Sequence, residues 1–186
     1  IGADMLPPLA SEFENIRRIF QNIRPGGLQN IFLAAEWCAE KGLIQQTWTL
    51  LQEGLVTYFT HQWAAELKQG LAPDRPNSQT PENSKESLQQ HRNFVAQLLS
   101  VTARNIPGQR WKPPLGDFPE LAAQLQQDIP PELPPLYAAI TQDRNDINHA
   151  GFDPHAADHV KIARRACATT AALRVCLPEA FRSEQG

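Results

Sequence analysis

The chain has 186 residues, 41% hydrophobic and 20% charged, with a formal net charge of -3 and a pI near 6.0. That length buries a core without staples, and the composition describes a folded rather than a disordered chain. A broad basic footprint for nucleic acid is excluded, so any such binding has to come from a local patch.

Helical periodicity dominates the chain from its start. Phe13, Ile16, Ile19, Phe20 and Ile23 recur near a period of 3.6 and stop at Pro25-Gly26-Gly27. A second helix reads from Leu28 through Ile31, Phe32, Ala35, Cys38 and Ala39 to Gly42. A third runs from about Leu43 to Leu67, with Ile44, Trp48, Leu51, Leu55, Tyr58, Phe59 and Trp63 on one stripe. Residues 70–84, rich in Pro, Asn and Ser, read as a loop. The next helix spans about Lys85 to Arg104, followed by a second irregular stretch over 105–119. A short helix from about Pro119 to Gln127 precedes a Pro-rich segment, and Pro135 suits the first turn of the helix leading into Arg144. Asp153-Pro154 is a fitting N-cap and first-turn pair for a last helix that runs to about Leu177. No strand alternation is visible, so the expectation is an all-α bundle over residues 1–186 with two long Pro-rich loops.

Three cysteines (Cys38, Cys167, Cys176) form no CxxC spacing and read as reduced thiols. No apolar run approaches a membrane span and no signal peptide is seen, which points to the cytoplasm. The start at Ile1 suggests a fragment or a processed chain. His155 and His159 are four apart at the start of the last helix, near Asp153 and Asp158. No further ligand stands at a recognisable spacing, so neither a metal nor a cofactor is expected.

Chemistry concentrates in the run from Asp143 to Phe152. Arg144 offers a planar, multi-donor grip on a phosphate, and His149 titrates near neutrality and can move a proton. On a continuous helix positions five apart lie about 140° out of phase. The two side chains can therefore meet only if the helix ends or distorts near them, for which Gly151 is a plausible stop, or if a partner chain completes the site. The bland alternative pairs Arg144 with Asp143 or Asp146 and leaves His149 at a helix end.

Arg144-Asn145-Asp146-Ile147-Asn148-His149 resembles the Arg, four to six residues, His signature of HEPN ribonuclease domains. The stretch from Ala35 to Gln46, with Thr49 to Leu55 after it, is similar to the helix pair of the C-terminal HEPN domain in type III CRISPR-associated ancillary proteins. The resemblance implies a homodimeric helical bundle with metal-independent endoribonuclease activity on single-stranded RNA, in antiviral defence. It also implies a CARF-type sensor domain responsive to cyclic oligoadenylates, which this chain does not contain and which would be separate or missing.

On this reading an RNA 2′-hydroxyl attacks its own 3′ phosphate, with His149 as general base or acid and Arg144 stabilising the growing charge. Asn145 and Asn148 are candidates to orient the histidine or the substrate. Lys161, Arg164 and Arg165, at i, i+3 and i+4 of the last helix, form a candidate RNA-binding patch. Arg110-Trp111-Lys112 is a second, with an aromatic for base stacking between two cations, although a Trp in such a loop also serves as a lid on the core. Glu36 and Glu53 are candidate structural partners of arginines. The alternatives are a non-catalytic HEPN module for dimerisation or RNA binding, and a nucleotidyltransferase-associated HEPN partner in a tight protein complex.

Overall fold

In the computed structural model of the chain the described residues are 14, 27–71, 85–148 and 159–182, with only the backbone of His159. The expected helix over 13–23, most of the 70–84 loop, and His149, Gly151, Asp153-Pro154, His155 and Asp158 lie outside them.

The first described helix, α1 (Gln29–Glu40), ends because Gly42 takes a left-handed conformation, φ 72°. The Leu43 N–H donates to the Cys38 carbonyl at 2.8 Å and the Gly42 N–H to Ala39 at 3.2 Å. This paired capping satisfies carbonyls the helix leaves open and turns the chain back on itself. The next helix, α2 (Ile44–Gln62), is followed after one residue by α3 (Ala64–Gly70). The single helix expected over 43–67 is thus interrupted at Trp63. That ring is buried against Phe59, centroids 4.6 Å apart, and its backbone leaves helical values, φ -101° and ψ 23°.

Helix α4 (Lys85–Ala103) is closed by the same capping as α1. Asn105, φ 50°, takes the place of the glycine, and the Ile106 N–H reaches the Val101 carbonyl at 2.9 Å. Asparagine tolerates this region better than most residues.

The stretch over 105–119 is less irregular than expected. It holds two short 3₁₀ turns, Gly108–Arg110 and Leu115–Asp117, and a cis Pro113–Pro114 bond. Leu115 is completely buried, which anchors the segment. Next come α5 (Pro119–Gln127), α6 (Leu133–Asn148) and α7 (His159–Cys176). Pro134 and Pro135 occupy the first turn of α6, where their missing N–H groups cost nothing. Pro178 breaks α7 as expected but opens a short further helix, α8 (Pro178–Phe181), whose Phe181 ring sits 5.0 Å from Phe32.

Among the described residues there are eight α-helices and no strand. Helix α2 is the central rod, packed against α1, α4, α6 and α7. Trp48, Leu51, Leu55 and Phe59 form its buried stripe. Phe94, Val95 and Leu98 of α4, Tyr137 and Ile140 of α6, and Ile162 and Ala166 of α7 complete the core around it. Gly54 lets α1 approach, since a Cβ there would lie 2.9 Å from Ile31 Cγ2 and 3.2 Å from Phe32 Cζ. This packing sets α6 beside α2 and α7, so polar residues at the end of α6 meet side chains from both.

Candidate functional site

The site is built on the last turns of α6, where the sequence places Asp143, Arg144, Asn145 and Asp146 in succession. Successive helical side chains diverge by about 100°, so the charges cannot share one direction. Asp143 is turned inward and only 2% exposed. Its carboxylate accepts two hydrogen bonds from Arg165 of α7, one from Nε at 2.9 Å and one from Nη2. Burial pushes the Asp143 carboxyl above its ordinary range; Arg165 pulls it back, and Asp146 adds to the rise. Asp146 is also buried and accepts a hydrogen bond from Gln142 Nε2 at 2.6 Å.

Arg144 joins neither carboxylate among the described residues. It is half-buried and points toward α2, where its Nη1 donates to Gln52 Oε1 at 2.9 Å. Its Nε is buried and has no hydrogen-bond partner among the described residues. Gln52 also lies beside the side chain of Tyr137, which is 2% exposed and two helical turns before Arg144 on the same face of α6. Burial raises the Tyr137 phenol above its usual range, and the neighbouring Gln52 amide offsets part of that. One turn beyond Arg144, the exposed Asn148 accepts a hydrogen bond from Gln45 Nε2 at 3.3 Å. Asn145 is exposed. His149, the proposed proton carrier, follows directly after the last described residue of α6.

Of the candidate cations on α7, Lys161 and Arg164 are exposed, whereas Arg165 is committed to Asp143. Arg110 and Lys112 are exposed. Trp111 between them is half-buried on the core, its indole N–H donating to the Ile106 carbonyl at 3.0 Å. It caps the core in this position, as the lid alternative for that residue has it. The two glutamates of the family-like stretch are structural partners of arginines. Glu36 of α1 is held bidentately by Arg174, with Nε at 2.7 Å, and Glu53 of α2 by Arg92 at 2.7 Å.

Sequence reasoning gave no role to Gln45, Gln52 or Tyr137. The available signal was spacing: Gln45 and Gln52 are two turns apart on one helix face, and so are Tyr137 and Arg144. Among the described residues no group of three or more His, Cys, Asp or Glu side chains could hold a metal ion. None of their helices is long and apolar enough to cross a membrane.

What these elements define is an all-helical domain with a polar seam between α2 and α6 that carries one arginine held by an amide. No protein-family model, curated protein or solved structure matches the chain.

Proposed function

We propose that the chain is a HEPN-type endoribonuclease that cleaves single-stranded RNA without a metal ion. The observation that carries this reading is the state of Arg144. Two neighbouring carboxylates, Asp143 and Asp146, bond to other groups, and the guanidinium is held by the neutral Gln52. A buried guanidinium donor such as this Nε ordinarily finds an acceptor within the fold. An arginine that keeps its charge beside a polar seam suits an anion brought by a ligand. Its unmet Nε donor costs about 1–3 kcal/mol, which an incoming phosphate oxygen recovers once it reaches that nitrogen.

In the reaction, the 2′-hydroxyl oxygen of one nucleotide bonds to the adjacent phosphorus while the bond from phosphorus to the next 5′-oxygen breaks. His149 takes the proton of the attacking hydroxyl, and the departing 5′-oxygen is protonated, by the same imidazole or by His149 of a second copy. The products are a 2′,3′-cyclic phosphate and a free 5′-hydroxyl. Arg144 stabilises the charge that builds on the phosphoryl oxygens. Asn145 and Asn148 flank the path of the RNA, and the exposed Lys161 and Arg164 supply local positive charge. The likeness of Ala35–Gln46 and Thr49–Leu55 to CRISPR-associated HEPN domains extends the proposal to a cytoplasmic homodimer in antiviral defence, regulated by a cyclic-oligoadenylate sensor domain.

The test is cleavage of end-labelled single-stranded RNA in excess EDTA by the wild-type chain, Arg144→Ala and His149→Ala. Wild-type cleavage leaving cyclic-phosphate ends is expected, with each substitution lowering the rate by about 100-fold or more. A 2′-deoxy nucleotide at the scissile position should block it. Equal rates in wild type and variants, or cleavage abolished by EDTA, would overturn the proposal. Binding without cleavage would identify a non-catalytic RNA-binding module instead.

A further inference from the structure

We infer that Gln52 is the positioning residue for Arg144, and that it is an amide so that the guanidinium is held without being neutralised. This rests on the ribonuclease reading and deepens it. The geometry places Gln52 between two groups of α6. Its Oε1 accepts from Arg144 Nη1 at 2.9 Å, and its side chain lies beside that of Tyr137 two turns earlier. Leu51 and Leu55 of α2 are completely buried on either side of it, so its backbone is anchored in the core. Gln45, two turns before Gln52, bonds Asn148, one turn after Arg144. The seam therefore runs antiparallel, with neutral α2 amides opposite Arg144 and Asn148.

The choice of an amide stands out against the neighbouring side chains. Glu53, the next residue on α2, pairs its carboxylate with Arg92 at 2.7 Å rather than with Arg144. Asp143, the residue before Arg144, is taken by Arg165, and Asp146 accepts from Gln142. Each of these three carboxylates is engaged elsewhere, and the side chain nearest in role to a counter-ion for Arg144 is uncharged. A carboxylate at position 52 would make a stronger, charge-assisted bond. It would also set a negative charge where a phosphate must approach. An amide keeps the orientation and leaves the positive charge for the substrate.

Gln52→Glu is nearly the same shape and isolates the charge, whereas Gln52→Leu removes the hold. At pH 7.5 the Gln52→Glu chain is expected to keep the wild-type melting temperature or exceed it, yet to cleave RNA about 100-fold more slowly. The ratio of its rate to wild type should rise only as pH falls below about 4, because pairing with Arg144 holds the introduced carboxylate below its ordinary range until it takes up a proton and stops neutralising Arg144. Gln52→Leu should also be slower, but with a ratio that does not change with pH. A purely structural Gln52 predicts the reverse ordering: a stable, active Gln52→Glu and a flat ratio. Either of those results, with Arg144→Ala inactive, would overturn this inference alone. If Arg144→Ala cleaves like wild type, or the wild-type chain neither binds nor cleaves RNA, the ribonuclease reading falls and this inference falls with it.

Discussion

Arg165→Met is expected to destabilise the fold by about 2 kcal/mol at neutral pH, and by less in acid. The substitution keeps the length and apolar stem of the side chain but removes the cation facing Asp143. The Asp143 side chain is 3% exposed and that of Arg165 is 45% exposed. Two charge-assisted hydrogen bonds are lost, each worth about 1.5–3 kcal/mol, and stripping one partner from a buried pair costs about 3–5 kcal/mol. Because Arg165 is nearly half in water, screening removes much of that, leaving about 2 kcal/mol. Burial already holds the Asp143 carboxyl above its ordinary range, and Arg165 is the main influence pulling it down. Without Arg165 it rises further. A carboxyl raised in the folded state contributes stability that is fully present below its unfolded pKa and is lost as pH rises through the folded one. The variant's deficit should therefore be largest near pH 7.5 and shrink toward about pH 4.5 as Asp143 takes up a proton. Urea unfolding at both pH values reads this directly through the midpoint at constant slope. Adding Asp143→Asn should restore part of the loss at pH 7.5, since no buried charge then remains. A deficit under about 0.5 kcal/mol, or one equal at both pH values, would refute the assignment of this pair as a buried, partly compensated charge.

Two further substitutions probe the packing that sets α6 beside α2. Gly54→Ala should lower stability by about 1–2 kcal/mol despite alanine's better helix propensity, because its Cβ would meet Ile31 Cγ2 at 2.9 Å; a raised melting temperature would show that α1 can move away freely. Trp48→Ala should cost about 3–5 kcal/mol, and Trp48→Phe distinctly less. The indole N–H of the fully buried Trp48 has no acceptor among the described residues, so phenylalanine loses volume but no hydrogen bond. Equal losses in chemical denaturation would mean that this nitrogen is in fact bonded.

Helices were legible in the sequence because apolar spacing and breakers act locally. Phe32, Ala35, Trp48, Leu51, Leu55 and Phe59 recur at helical intervals and are buried, and Gly42 stops α1 by the left-handed turn its lack of a Cβ permits. Where tertiary packing overrode the local pattern, the reading fell short. Trp63 continues the apolar stripe, yet its burial against Phe59 coincides with the break between α2 and α3. Leu115 lies in a segment whose prolines and glycines read as loop, and it is fully buried. Asn105 closes α4 as a glycine would, a role that its residue type permits but does not announce.

The polar partners were the least legible part, for a topological reason. A helical wheel tells that Arg144 diverges from Asp143 and Asp146, which share a face, but not which helix each face meets. That depends on α6 packing against both α2 and α7, which brings together residues 92 apart for Arg144 and Gln52 and 22 apart for Arg165 and Asp143. Composition alone favours the pairing of Arg144 with an aspartate close to it in sequence, since opposite charges there are cheap to imagine as partners. Side-chain direction works against it: Asp143 turns to Arg165 of α7, and Asp146 bonds Gln142 one turn back on α6. The same divergence explains how a run dense in charge leaves its arginine beside an amide. A Gln at position 52 is thus informative only once α2 and α6 are known to touch, and from then on it is the residue whose chemistry most constrains what Arg144 can do.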